Sequence, residues 1–261
     1  MKNYEKLVEK IEKYVTNQNA NISVSFCDLK RDFTFNVEGD KKSPSASMIK
    51  LLIMAEVLDE VDKKKLSLNE KYIISPHNIV EGSGIVFELE EGHEFSLKEI
   101  IKLMIILSDN SCTNFLIDLV SMEKINKMGK MLDLKNTVLQ RKMMDLESAE
   151  KGFDNYTSSN DIMNILKLIY DGKLINEEMS SIALEILLCQ KLNYGLKKYL
   201  PEELKLASKS GDLENLENDG GIFFTDTCDY ILTVLVNGTK NYIAKDIIAE
   251  ISKMVYCFME V

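Results

Sequence analysis

Ser47 and Lys50, three positions apart, are the residues of this chain whose types and spacing best suit covalent chemistry. A serine hydroxyl is a weak nucleophile until a base takes its proton. Pro44 and Ser45 read as a helix start followed by an apolar run from Met48 to Val61, so both side chains lie on one helix face, about one turn apart. The neighbours Met48, Ile49, Leu51, Leu52 and Ile53 are apolar, which predicts a helix buried nearly all round. An ammonium held there loses hydration and its pKa falls. A fall of about three units corresponds to roughly 4 kcal/mol and supplies neutral amine near pH 7. That amine can take the serine proton, and the free amides of the helix N-terminus favour negative charge on an attacked carbonyl oxygen. The expected chemistry is acyl transfer.

The spacing alone is not selective. Ser121-Met122-Glu123-Lys124 and Ser148-Ala149-Glu150-Lys151 repeat it, and both read as surface segments. Two further groups change the weight of the first. Ser108-Asp109-Asn110 ends the apolar helical pattern Leu97 to Leu107, and Lys209-Ser210-Gly211 lies in a strand-like run. Taken singly, Asn110 reads as a helix-to-loop cap and Lys209-Ser210-Gly211 as an edge strand entering a turn.

Together, in this order, S-x-x-K, S-D-N and K-[ST]-G are the signature of class A β-lactamases and penicillin-binding proteins. They stand 61 and 101 positions apart, with Ser in place of Thr in the last. The flanking Ser45-Ala46-Ser47-Met48-Ile49-Lys50 and Ser108-Asp109-Asn110-Ser111-Cys112-Thr113-Asn114 resemble the extended forms of the first two motifs. The chain thus resembles this superfamily from the first hairpin to the last helix. The resemblance implies that Ser47 is acylated with Lys50 as proton acceptor, and that Ser108 relays a proton to the leaving nitrogen. It implies that Asn110 bonds the substrate's amide side chain, and that Lys209, Ser210 and Gly211 form the strand whose Lys209 and Ser210 hold its carboxylate. It places the oxyanion hole at the backbone amides of Ser47 and Asp212, where one donor is typically worth about 3 to 4 kcal/mol.

The pattern departs in one place. Class A enzymes usually carry a deacylating Glu in an E-x-x-L-N stretch between the second and third motifs. The corresponding segment here is Gln140-Arg141-Lys142-Met143-Met144-Asp145-Leu146-Glu147, with Met143 at the Glu position. Gly152-Phe153-Asp154-Asn155-Tyr156-Thr157-Ser158 again resembles the less typical serine hydrolase branch. Asp145, Glu147 and Glu150 are the substitutes at hand for activating water, and they read equally as solvated loop carboxylates. Three functions follow: a β-lactamase-like hydrolase acting through an acyl-serine, an esterase or amidase with the same machinery, and a penicillin-binding or sensor-type protein that stays acylated. The substrate is a small β-lactam or acyl compound, with no cofactor, no metal-ligand spacing and no partner protein. His77 and His93 fall near loops without a triad motif; His77 precedes Gly82-Ser83-Gly84, a candidate cleft rim.

The elements that must position these groups are legible as periodicities. Tyr4 to Val15 is an amphipathic helix, and Ile22–Phe26 with Phe33–Val37 form a hairpin around the turn Asp28 to Asp32. Helical patterns run over Leu97–Leu107, Ser111–Val120, Ser159–Tyr170 and Glu177–Leu188, with a long loop at Leu139–Thr157. Strands follow at Lys205–Ser210, Gly221–Thr225 and Tyr230–Val236, then Asn237-Gly238 as a turn and a helix from about Ile243 to Phe258. The expected fold class is α+β, an α/β sandwich: an antiparallel sheet flanked by N- and C-terminal helices, carrying an inserted all-helical domain. Residues 1–43 and 206–261 would form the sheet domain and 44–205 the helical one, with the active site in the cleft between them.

Composition sets the bounds. The 261 residues are 45% hydrophobic and 28% charged, enough for a sizeable core. A net charge of -10 argues against nucleic acid, which needs clustered Lys and Arg. No apolar run reaches the roughly 20 residues of a membrane span. Met1-Lys2-Asn3-Tyr4-Glu5-Lys6 has no signal-peptide core. Five cysteines, an odd number with no C-x-x-C pair, fit a reducing compartment. The expectation is cytoplasmic, or secreted for a chain already cut from its leader.

Overall fold

A computed structural model describes residues 3–31 and 33–260. Met1, Lys2, Asp32 and Val261, which the leader, turn and domain readings include, lie outside the described residues. Helix α1 (Tyr4–Thr16) buries Leu7 and Ile11 on one face. Strands β1 (Asn21–Asp28) and β2 (Phe33–Val37) form the expected hairpin. After the short β3 (Ser43–Pro44) comes a 3₁₀ turn, Ala46–Ile49, that runs directly into α2 (Lys50–Asp62). Every α2 residue from Lys50 to Glu60 is buried, as the apolar neighbours of Lys50 predicted.

A two-stranded ribbon, β4 (Lys71–Ile73) and β5 (Glu94–Ser96), precedes α3 (Leu97–Ile106). Ser96 and Glu99 close a reciprocal capping box that starts α3. Next come α4 (Asn110–Val120), capped by Asp109, and α5 (Met122–Met131), capped by Ser121. The long loop carries a short helix α6 (Leu146–Glu150) and ends in β6 (Tyr156–Thr157), which pairs with β3. Helices α7 (Ser159–Tyr170) and α8 (Glu177–Leu188) complete the helical stretch. Strands β7 (Lys205–Leu213), β8 (Leu216–Phe224) and β9 (Tyr230–Asn237) return to the sheet, and α9 (Asn241–Glu260) closes the chain.

The sheet is antiparallel throughout, in the order β2-β1-β9-β8-β7. One face, with Val24, Phe26, Leu232 and Val234, packs on α1 and α9. The other contributes Cys27, Ala207, Ile222 and Ile231 to the core that surrounds α2. Each fully buried aliphatic side chain there contributes about 1.5–3 kcal/mol of transfer free energy. Lys209, Gly220, Thr233 and Ser25 lie in one cross-strand row and so share a face. Ser25 Oγ bonds Ser159 and Asn160 of α7, so that face looks toward the helices. Lys209, on the edge strand, therefore points toward α2 and α3.

Three expectations needed correction. Ser47 sits in a 3₁₀ turn rather than the first turn of an α-helix, because β3 holds Pro44 in a strand pair. Strand β8 begins at Leu216, not Gly221; Glu217, Asn218 and Asp219 look like loop residues in sequence, yet all three are buried. Asn237-Gly238 leads from β9 into α9 and makes no hairpin, although Gly238 does need its positive φ of 82°.

Candidate active site

The 3₁₀ turn serves the first motif better than an α-helix. Side chains at i and i+3 eclipse in a 3₁₀ turn, and Lys50 Nζ lies 3.0 Å from Ser47 Oγ. Ala46, at φ 46°, occupies the left-handed region just before Ser47. Such strain costs about 1–2 kcal/mol in a non-glycine residue and persists only where the surroundings enforce it. The surroundings are specific: Ser45 N–H donates to Asn155 O, and Asn218 Nδ2 donates to Pro44 O and Ser45 O.

The second motif meets the first at the amine. Ser108 also takes a left-handed conformation, φ 56°, where α3 ends. That bend turns both of its oxygens toward Lys50: Nζ lies 2.6 Å from Ser108 O and 3.0 Å from its Oγ, with Asn110 Oδ1 at 3.0 Å. Ser108 O and Asn110 Oδ1 can only accept, whereas the hydroxyls of Ser47 and Ser108 can accept or donate. A neutral amine can thus donate twice to the fixed acceptors and receive a hydroxyl proton on its lone pair; an ammonium is satisfied by the same cage. Lys50 is fully buried, and its pKa lies well below the usual lysine value. Burial is the first cause and the Lys209 charge the second.

The third motif completes the cluster. Lys209, also fully buried, donates to Ser108 Oγ at 3.1 Å and to Ser210 O. Its pKa is pushed down to about 8 by burial, against the pull of Asp219 and Asp212. Gly211 is required by packing, since a Cβ there would lie 2.6 Å from the Ser47 amide nitrogen. The missing side chain lets β7 close on the Ser47 turn and brings the Asp212 segment alongside it.

Ser47 opens into a small cavity of about 170 Å³ bounded by Gly82, Ser83, Asn110, Met143, Met144, Leu146, Asp212 and Leu213. A second cavity of about 380 Å³ lies beside it, sharing Ser83 and Asp212 and reaching Ser210. The 82–84 segment is therefore the cleft rim. His77 is exposed beside Asp118, outside both cavities.

Met143 lines the Ser47 cavity and is 8% exposed. Asn114 fixes it from both sides, accepting from Met143 N at 2.8 Å and donating to Met143 O at 3.1 Å. Asp145 and Glu147 do not reach the cavity. Asp145 caps α6 through Ser148, Glu147 pairs with Lys151 in solvent, and Glu150 is exposed. The two other S-x-x-K matches are equally remote: Ser121 caps α5, with Lys124 paired to Glu60, and Ser148 belongs to α6.

Several residues inside or beside the quoted motifs have supporting roles that the sequence did not assign. Asp109 receives Ile85 N–H and Val86 N–H on one oxygen and Cys112 N–H on the other, tying the rim to α4. Gly84, at φ 111°, is forced by this contact, since a Cβ would collide with the Asp109 carboxylate. Arg141 pairs with Asp154 at 2.8 Å across the loop, and Asn155 Oδ1 accepts from Gln140 N and Arg141 N.

An antiparallel sheet packed on helices, with a buried lysine joining Ser47 to an S-D-N turn and a K-S-G edge strand, is the arrangement of the β-lactamase and penicillin-recognising class of serine hydrolases. The chain belongs to the β-lactamase enzyme family, whose family model matches residues 6–259. It is a hydrolase of the β-lactamase type. Beta-lactamase BRO-1 of Moraxella catarrhalis is 26% identical over 85% of this chain and 74% of its own length. The β-lactamase of Sphaerobacter thermophilus superposes with a TM-score of 0.90, covering 99% of each chain at 22% identity. PBP-A superposes equally well (TM-score 0.90, 26% identity, 98% of this chain and 96% of the other). A leucine-to-glutamate variant of PBP-A, solved as an acyl-enzyme complex with penicillin G, matches with the same score and identity. No helix among the described residues is long and apolar enough to cross a membrane.

Proposed function

We propose that Ser47 is the nucleophile, Lys50 the base that activates it, and the product a long-lived acyl-enzyme. The observation that carries this is the cage around the fully buried Lys50 Nζ, which holds Ser47 Oγ at 3.0 Å. Neutral Lys50 takes the Ser47 proton as Oγ attacks the substrate carbonyl. The amides of Ser47 and Asp212 stabilise the oxyanion, a role supported by the close approach of Gly211 to the Ser47 amide. Ser108, between the two lysines, relays the proton to the leaving atom. Asn110 orients the acyl amide, and Lys209 with Ser210 holds a carboxylate on the leaving half.

Release is the slow half-reaction. Met143, at the sequence position of the usual deacylating Glu, lines the Ser47 cavity, and its thioether cannot activate water. This favours a β-lactam-acylated protein of the penicillin-binding kind over a fast β-lactamase. The five cysteines form no disulfide, which supports a cytoplasmic setting. The cleft lies where residues 44–205 meet 206–261, in keeping with the proposed two-part division.

Incubation with a chromogenic cephalosporin, followed by colour and intact mass together, tests the reading. The expected result is a stoichiometric burst with a lasting mass increase on Ser47, absent in Ser47→Ala. Steady turnover would overturn the slow-release part, and a burst retained by Ser47→Ala would overturn the nucleophile.

A further inference from the structure

The loop that carries Met143 sends its next side chain across the Ser47 cavity. Met144, at φ 61°, sits in the left-handed region that glycine enters freely and other residues do not. Its neighbours enforce that conformation: Asn114 holds the Met143 backbone, Asp145 caps α6, and Met144 O accepts from Leu146 N at 3.0 Å. The side chain reaches the opposite rim. A Cβ on Gly82 would lie 3.2 Å from Met144 Sδ and 2.9 Å from Asn110 Nδ2. The bare Gly82 backbone thus leaves room for the thioether to rest against the rim beside Asn110.

Two more apolar side chains share this position. Leu146, from the loop, and Leu213, from the end of β7, are exposed and line the same cavity. Exposed apolar residues scattered singly over a surface need no explanation, but three around one cavity mark a binding surface. Arg141, the cation on the lining, is already taken up by Asp154 and the Lys142 carbonyl. An anionic acyl group therefore finds no free cation among the described residues of the lining. At about 170 Å³ the cavity is also smaller than the roughly 300–1,000 Å³ of ordinary ligand pockets. Met144 is the part of its wall that can yield, since the side chain is 44% exposed and a thioether on an unbranched stem is adaptable.

We propose that Met144 is the specificity-determining residue for the acyl half of the substrate: its side chain roofs the Ser47 cavity, admits a slender apolar acyl chain beneath it and delays bulky or anionic ones. The proposal rests on the acyl-serine reading above and deepens it by naming the substrate class. A slender chain keeps its contacts with Met144, Leu146 and Leu213. A bulky one must first swing Met144 away from Gly82, and a charged one loses hydration against the apolar lining.

Three penicillins test it, identical except for a pentanoyl, diphenylacetyl or succinyl group on the side-chain amide. In each, the bond from Ser47 Oγ to the β-lactam carbonyl carbon forms and the ring C–N bond breaks. The Ser47 proton, first taken by Lys50, ends on the ring nitrogen, which stays attached through the rest of the molecule. Second-order acylation rates are read from the Ser47 adduct mass. In the parent protein the pentanoyl compound should react at least about tenfold faster than either of the others. Met144→Gly suits the positive φ and removes the roof, so it should raise the diphenylacetyl-to-pentanoyl rate ratio about tenfold. Met144→Gln keeps the length of the arm, so the size preference should remain while the succinyl-to-pentanoyl ratio rises several-fold. Each ratio is taken within one protein, so a general loosening of the loop cancels. Equal rates for pentanoyl and diphenylacetyl in the parent, or a ratio of the two unchanged in Met144→Gly, overturns the roof and leaves the acyl-serine reading standing. No adduct from any of the three overturns both.

Discussion

Lys50 and Lys209 meet through a single oxygen: the Ser108 hydroxyl lies 3.0 Å from one amine and 3.1 Å from the other. Two fully buried lysines cannot comfortably both be charged at that separation, and burial with the Lys209 charge pushes the pKa of Lys50 well down. Lys209 thus helps to keep Lys50 neutral. Lys50→Arg keeps a cation but removes the base, and should lower the acylation rate by about 10²–10⁴-fold. Lys209→Gln removes the neighbouring charge, so Lys50 should hold its proton to higher pH. The acid limb of the acylation profile should then move upward. An unmoved limb, read from rates between pH 5 and 9, would mean that the two amines do not communicate.

Lys209 itself titrates within reach of experiment. Its pKa of about 8 means it is a cation below that pH and neutral above it. Recognition of a substrate carboxylate should therefore weaken as pH rises through about 8, while a neutral methyl-ester analogue shows no such loss. The measurement is the ratio of acylation rates for the two compounds from pH 6 to 10. A ratio constant over that range would remove Lys209 as the carboxylate anchor.

Met143 offers the most direct test of slow release. Its backbone is held by Asn114 on both sides, so a substituted side chain starts from the same place. Met143→Glu should shorten the lifetime of the acyl-enzyme by about 10- to 100-fold, by supplying a base for water. Chase experiments on the penicillin adduct, read by intact mass, report the lifetime. An unchanged lifetime would show that position 143 does not face the acyl carbonyl.

The residues that do covalent chemistry were legible because their types are unusual for their places. A lysine inside an apolar helix such as α2 has few structural uses, and the same is true of Lys209 in a strand whose neighbours Ala207 and Ser208 are buried. Element order and the antiparallel sheet followed from periodicity. The supports were hidden because each does its work through a partner far away in sequence. Asp109 holds a rim 23 and 24 positions earlier, and Asn218 holds a turn 173 and 174 positions earlier. Polar residues such as Glu217 and Asp219 were mistaken for loop because periodicity assumes that buried strand positions are apolar. Helix α5 was not singled out for a related reason: Ile125, Met128 and Gly129 are its only buried residues, and they make a thin apolar stripe.

Asp219 illustrates what such a hidden residue costs the fold. Burial raises its carboxyl from 3.8 to about 7. The native state therefore keeps a proton that the unfolded chain gives up at about pH 4, and stability falls as pH rises from about 4 to 7. Three units correspond to an upper bound of roughly 4 kcal/mol. Asp219→Asn keeps the oxygen that accepts from Leu196 but carries no charge, so it should escape this loss. Urea unfolding of both proteins at several pH values isolates the effect, because all other titrating groups cancel in the difference. The variant should gain on the parent by about 2–4 kcal/mol between pH 4 and 8, with nearly all of the gain complete by pH 8. A difference that stays flat over this range would mean that Asp219 titrates normally and carries no burden in the native state. A sloping one would identify Asp219 as a group whose ionised form destabilises the fold.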